Sequence, residues 1–464
     1  MAFRVTFAGG AGSVTGSNFL VEGAQGRMLV DCGIEQGRDA CQKCMYEPFP
    51  YDVPTLDAVV ITHAHLDHIG RCPKLMREGF KGKAYMTGPT RDLTELILRD
   101  SASIMAMDAR SKGLPLLYDE KDVESFLSRI EIIKYHQEFE AAPGLSCFMR
   151  DTGHILGSGS VRITNEEGIS LAITGDIGNS PSPYLNDAEV VADADVLIME
   201  SVYGNRVNMQ KDDRVAELRD ALKRAIARGG AILIPAFSIE RTQLMLYEIS
   251  NLMDGGELPK IPVFLDSPLA IKVTDVYRKW GEEYFKPAVM DELHREHDIF
   301  TFPFLKETPS RKDSDMIKGR QSPKIIMAGA GMSHGGRIGR WEKEYLPDPA
   351  TTLMIVGYQA PGSPGRLLQD GAQSIRLDGR QVRVKAKIET FSGWSAHADR
   401  DGLLAFAEGS LPRVKTIFTA LGEPSAARFL AQRIHDYLGV QAIAPEEGQV
   451  FEITKHGAVE IKNK

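Results

Sequence analysis

The chain has 464 residues, a formal net charge of −8 and 25% charged residues, which argues against one small core and against a generally basic nucleic-acid coat. No apolar run of about 18 residues occurs, so no membrane-spanning helix is expected, and Met-Ala-Phe-Arg-Val-Thr-Phe enters a strand pattern rather than a secretory leader. Five cysteines, an odd number scattered through a long chain, argue against a disulfide framework and for a reducing, cytoplasmic compartment.

Residues 3–31 read as short strands with glycine turns, and Asp31 ends the third of them before Cys-Gly. A carboxylate there either orients a metal-bound imidazole or fixes the turn. Gly9-Gly-Ala-Gly-Ser-Val-Thr-Gly16 lacks the third glycine of GxGxxG and reads as a tight turn rather than a phosphate loop. Cys41 and Cys44 form a lone CxxC without a second pair, structural or incidental.

Leu56 to Ile61 is a short apolar, β-branched run, the pattern of a buried strand, and it stops abruptly at His63, His65, Asp67 and His68. In an extended segment residues two apart point the same way, so His63 and His65 can reach one metal together. Asp67 and His68 stand where the chain turns toward a helix and point toward a second ion. Imidazole plus carboxylate is a borderline donor set that suits zinc; the competing reading is a His-rich exposed turn.

Residues 71–130 read as helical, with loops around Gly88-Pro89 and Gly113-Leu-Pro115. His154 follows among small residues, a third imidazole if His63 and His65 bind metal and a structural histidine otherwise. Ile169 to Asp176 and Val196 to Glu200 each repeat the pattern of an apolar strand ending in an acid. An aspartate at 176 could bridge two metals, one oxygen to each.

From about residue 207 strands, glycine loops and helices alternate as in a small parallel α/β sheet. The segment from Gly329 to Arg337 either holds a phosphate on its backbone amides or is a plain glycine loop. Arg383, Lys385 and Lys387 alternate with apolar residues, either a track for a polyanion or a solvated edge. His397 lies in a small-residue loop ahead of a helix. His136, His294, His297, His435 and His456 fit no ligand spacing.

Taken together, the HxHxDH cluster, Asp31, His154, Asp176, Glu200 and Ser-Ala-His397-Ala-Asp resemble the β-CASP branch of the metallo-β-lactamase superfamily, the RNA nucleases related to ribonuclease J and to the pre-mRNA 3′-end cleavage endonuclease. The resemblance implies an α/β fold: a metallo-β-lactamase αββα sandwich built from residues 1–206 and 387–464, with a β-CASP cap inserted at 207–386 and the active site in the cleft between them. It implies a zinc-dependent phosphodiesterase that cleaves single-stranded RNA with a metal-activated hydroxide, as an endonuclease or a 5′-exonuclease. His63, His65, His154 and Asp176 would bind the first metal, and Asp67, His68 and the shared Asp176 the second. Asp31, Asp67, Glu200 and His397 would serve the chemistry, with His397 as general acid. Ser267, Gly331, Arg337 and Arg366, in segments similar to the cap of the family, would contact phosphate or RNA. A homodimer is compatible with the resemblance.

One position departs from it. The family reads Val-His-Gly-Glu where this chain has Ala420-Leu-Gly-Glu423, so Leu421 stands in place of a ligand for the second metal. One zinc is therefore expected to bind firmly and the second more weakly. Two other functions fit the same residues: an RNA-binding paralogue with impaired chemistry, and a metallo-hydrolase of a small ester or thioester. The long cap and His397 weigh against the latter.

Overall fold

The computed structural model describes residues 3–36, 44–113, 115–208, 211–296, 298–357, 359–360, 362–391, 393–411 and 413–461. Cys41 and His297 fall outside them. The chain divides into two compact units, Met1–Val207 with His397–Lys464, and Asn208–Ala396.

The first unit is built on two sheets. One has eight strands, in the order Gly457–Glu460, Val450–Thr454, Phe3–Gly9, Asn18–Glu22, Arg27–Val30, Ala58–Val60, Lys83–Thr87 and Ile130–Ile133. The other has seven, in the order Gln441–Ile443, Thr416–Ala420, Val196–Glu200, Ser170–Ile173, Gly159–Asn165, Leu145–Asp151 and Glu138–Ala142. Their inner faces share one core, in which Phe3, Phe7, Met28 and Val60 meet Leu145, Val161, Leu171 and Phe418. Phe418 lies 5.1 Å from Phe7 and 4.7 Å from Phe451, ring centre to ring centre, so both chain ends are locked into the same sandwich. On the outer face of the second sheet, Leu403 and Phe406 of helix Arg400–Gly409 and Leu430 and Ile434 of helix Pro424–Leu438 cover Leu197, Met199 and Ile417. The layers are those of an αββα sandwich.

The expectation for residues 71–130 needs correction. Lys83–Thr87 is a strand, paired parallel to Ala58–Val60, and Gly88-Pro89 is the first turn of the helix Gly88–Lys112 rather than a loop. Proline near a helix start lacks only an amide that would be unpaired anyway, and the Thr87 side chain caps the helix by accepting the Thr90 amide. Gly113 ends this helix at φ 68°, in the left-handed region glycine favours.

The second unit holds a six-stranded parallel sheet in the order Leu305–Glu307, Val263–Leu265, Lys324–Ala328, Ala231–Pro235, Thr352–Val356 and Lys387–Phe391. Ala231–Pro235, Lys324–Ala328 and Thr352–Val356 are buried at every residue, which is why, past Lys324 and Thr352, they read as apolar runs rather than alternating ones. A separate antiparallel ribbon pairs Ser374–Leu377 with Arg380–Arg383.

Candidate metal centre

In the first unit the ligand-type residues stand at the ends of strands. Asp31 follows Val30, Thr62 and His63 follow the strand Ala58–Val60, Asp176 follows Ser170–Ile173, Glu200 ends its strand and Leu421 follows Ala420. Strands Arg27–Val30 and Ala58–Val60 run parallel in one sheet, and Ser170–Ile173, Val196–Glu200 and Thr416–Ala420 run parallel in the other, so within each sheet these ends lie side by side. Loops beyond strand ends are where rigid scaffolds carry chemistry.

His63, His65, His154 and Asp176 each offer a ligand atom within 4.8 Å of the other three. His65 Nδ1 lies 3.0 Å from His63 Nε2 and 3.2 Å from His154 Nε2, and Asp176 Oδ2 lies 3.4 and 3.3 Å from the same two nitrogens. Zinc bonds of about 2.0–2.1 Å in a tetrahedron put ligand atoms roughly 3.3–3.4 Å apart, so four of the six donor pairs, at 3.0–3.4 Å, already stand close to that spacing. Burial, reinforced by the neighbouring histidines, holds the His63 imidazole below its ordinary pKa and those of His65 and His154 well below. Neutral imidazoles are the form that binds a metal.

His68 faces the other oxygen of the same carboxylate, with its Nε2 3.3 Å from Asp176 Oδ1. That Nε2 is buried and has no hydrogen-bond partner. Asp31 aims the ring: its Oδ2 lies 2.6 Å from His68 Nδ1 and accepts from the Ser17 and Thr62 hydroxyls, while Oδ1 accepts the Thr62 amide at 2.8 Å. The two readings of Asp31 therefore coincide, since it fixes the turn and orients an imidazole. Burial lowers the affinity of His68 for a proton, but Asp176 and Asp31 outweigh it and hold the group well above its ordinary value. Asp67 is half-buried, and neither it nor His68 belongs to the four-residue group. An orphaned imidazole nitrogen and a donor set at tetrahedral spacing fit a bound cation.

Asp176, Glu200 and His397 form a second group with ligand atoms within 4.8 Å of one another. Glu200 is fully buried; its Oε1 accepts the Ile177 amide at 2.6 Å and lies 3.2 Å from His397 Nδ1. The His397 backbone is bridged to Gly178, and Ala398 donates to the Ile177 carbonyl, which fixes the ring beside His154 at 4.6 Å between centres. Burial would lower the imidazole pKa, yet Glu200 and Asp176 outweigh it and raise it to about 10. Tyr203, which sequence reasoning passed over, packs edge-on to His397 at 6.0 Å; its place three residues after Glu200 was the available signal.

Leu421 is buried in the sandwich core at φ 49°, its amide donating to the Gly10 carbonyl at 2.7 Å. In the second unit, Ser267 caps helix Pro268–Tyr284, and the Gly331 carbonyl accepts from Gln359. Arg337 is engaged within that unit, donating to Asp266 Oδ1 and to the Thr308 and Pro309 carbonyls, and Arg366 pairs with Asp370 at 2.9 Å. His136 pairs at the surface with Glu189 at 2.8 Å. Among the described residues no helix is long and apolar enough to cross a membrane.

Three family models match successive parts of the chain. Residues 11–236 match the model of the metallo-beta-lactamase superfamily, 242–368 that of the Beta-Casp domain, and 381–445 that of the Zn-dependent metallo-hydrolase RNA specificity domain. The chain is 34% identical over 411 residues to Ribonuclease TTHA0252 of Thermus thermophilus, spanning 89% of this chain and 92% of that protein. It is 32% identical over 467 residues to the transcription termination factor FttA of Pyrococcus horikoshii, spanning 95% of this chain and 70% of that protein. A crystal structure of a protein of unknown function from Enterococcus faecalis V583 superposes with a TM-score of 0.57 over 98% of this chain and 100% of its own, at 11% identity, a likeness of fold alone.

Proposed function

This chain belongs to the β-CASP branch of the metallo-β-lactamase superfamily, and on that premise we propose that it is a metal-dependent phosphodiesterase that cleaves RNA. The observation that carries the reading is Asp176, whose Oδ2 lies 3.4 and 3.3 Å from His63 and His154, and 3.8 Å from His397 Nδ1. One carboxylate thus joins a donor set suited to a cation and an imidazole suited to proton transfer. Likeness to a protein named a ribonuclease, over 92% of its length, supports RNA as the substrate class.

His63, His65, His154 and Asp176 would hold the first cation, and zinc suits three imidazoles and a carboxylate. A cation held there supplies Lewis acidity toward a phosphoryl oxygen and lowers the pKa of a water. The remaining work falls to side chains. Glu200, pinned by the Ile177 amide, faces His397 Nδ1 and keeps that ring protonated, so the proton for the leaving 3′-oxygen comes from Nε2. Asp31 fixes His68 so that its Nε2 stays turned to Asp176.

Asp67, His68 and Asp176 would hold a second cation. At φ 49°, Leu421 occupies the left-handed region, uncommon for leucine and several-fold enriched in Asn, Asp and His. A hydrocarbon side chain donates no electron pair, so the second position binds more weakly than the first, by at least the roughly 10–100-fold that losing a mere supporting contact costs. The same residue favours a second reading, an RNA-binding paralogue of reduced activity. Substituting His397→Ala separates the two: the enzyme reading expects retained zinc and cleavage of single-stranded RNA lowered by about 10²–10⁴-fold. Wild-type chain that carries one zinc and cleaves nothing supports the paralogue instead.

A further inference from the structure

The ribbon Ser374–Leu377/Arg380–Arg383 has two unlike faces. Ile375, Leu377 and Val382, continued by Val384 and Ala386, are buried in the apolar core of the second unit. Ser374, Arg376, Gln381 and Arg383 are exposed in the register that pairs Ser374 with Arg383 and Arg376 with Gln381, and Lys385 and Lys387 extend the exposed alternation. Arg380 is exposed at the turn. Five cations therefore line one short stretch of a chain whose net charge is −8.

Among the described residues, none of these five cations forms an ion pair. The two acids of the segment are engaged elsewhere, Asp378 with Lys343 at 2.5 Å and Glu389 with Arg224 at 2.8 Å. Other arginines of the second unit carry partners, as Arg278 does with Asp275, Asp298 and Glu307. Same-face residues on a strand stand about 6.6–6.8 Å apart, inside the Debye length of about 8 Å at physiological ionic strength, so their fields add instead of being screened singly. Where such a row neutralises the phosphates of a polyanion, the cations condensed on that polyanion are released.

We propose that this ribbon, with Lys385 and Lys387, is a backbone-binding track for single-stranded RNA, resting on the reading of the chain as an RNA-cleaving enzyme. The outward positions between the cations are Ser374 and Gln381, with no aliphatic or aromatic side chain to form the apolar centre of a protein interface or a stacking platform for bases. The track therefore holds phosphates without reading sequence, and acts on substrate affinity rather than on the chemical step.

The test uses the full chain and a fluorescein-labelled oligouridylate longer than about 16 nucleotides. In a His397→Ala background, which limits cleavage, its affinity is measured across salt concentrations with and without Arg376→Gln, Arg383→Gln, Lys385→Gln and Lys387→Gln combined. The slope of log affinity against log salt is expected to flatten by about 0.7 per cation removed, about 2.8 in all. With His397 intact, the four substitutions raise KM for the same RNA and leave kcat unchanged, the mark of lost uniform binding. Arg91→Gln with Arg99→Gln, whose cations are paired, leaves slope and KM unchanged. A native melting profile with unchanged slope and KM overturns the track while wild-type cleavage upholds the parent function; if polyglutamate binding is then lost, the ribbon serves an acidic protein. Wild-type chain that neither binds nor cleaves RNA removes both.

Discussion

Asp176 in the first unit and Asp266 in the second occupy matching addresses: each follows a buried strand, and the two residues are 3% and 0% exposed. Their surroundings differ. Asp266 accepts from the Thr308 and Ser314 hydroxyls at 2.8 Å each, from the Trp341 indole at 2.7 Å and from Arg337 at 2.6 Å. Asp176 faces ring nitrogens at 3.3–3.4 Å, one of which, His68 Nε2, has no hydrogen-bond partner. Glu342 takes a third course. Fully buried, with the Ser333 hydroxyl on one oxygen and no hydrogen-bond partner on the other, it has its pKa pushed by burial up to about 7. A buried carboxylate is thus kept by donors, by a proton or by a cation, and only the last arrangement leaves a site open to substrate chemistry.

Substitutions can break this contrast in opposite directions. Asp176→Asn removes the carboxylate charge that faces His63, His154 and His68 and is expected to lower RNA cleavage by roughly 10³-fold or more, the several kcal/mol that metal stabilisation of a transition state supplies. Single-turnover rates measure it. Asp266→Ala leaves the Arg337 charge without its acid and should destabilise the second unit by about 3–5 kcal/mol in urea unfolding, with metal content unchanged. If Asp266→Ala lost zinc while folding normally, the contrast would be wrong.

Asp31→Asn keeps the shape of the turn but weakens the hold on His68, and zinc affinity measured by competition with a chelator should fall by about 10–100-fold. The smallest effect belongs to Glu342. Its folded-state pKa, about 7, lies above the ordinary 4.5, so its contribution to stability is fully present below pH 4.5 and is lost as pH rises through about 7. Glu342→Gln, permanently neutral, should match wild type near pH 4 and exceed it by up to about 3 kcal/mol near pH 8. Denaturation midpoints at the two pH values measure the difference.

These arrangements were unequally legible in the sequence. Asp31, His63, Asp176 and Glu200 announce themselves because an apolar, β-branched run stops dead at each, a local signal. Leu421 was legible as a departure from a family pattern, but its left-handed backbone was not, since nothing in Ala-Leu-Gly-Glu demands it. The Asp266 hub was hidden because its partners lie 42, 48, 71 and 75 residues further on. Arg337 looked available for phosphate for the same reason: the glycines around it are visible in sequence, and the distant carboxylate that takes its charge is not. Gly88-Pro89 reads as a loop in sequence but starts a helix, because proline and glycine mark helix starts as well as turns.

The central claim, that the group around Asp176 is arranged for a cation, is tested most directly by elemental analysis of the purified chain beside its Asp176→Asn counterpart. The expected result is roughly one tightly held zinc per wild-type chain, the firm site of three imidazoles and a carboxylate, and little or none in the variant. Equal metal in both proteins, or none in the wild type even after dialysis against zinc, would contradict it.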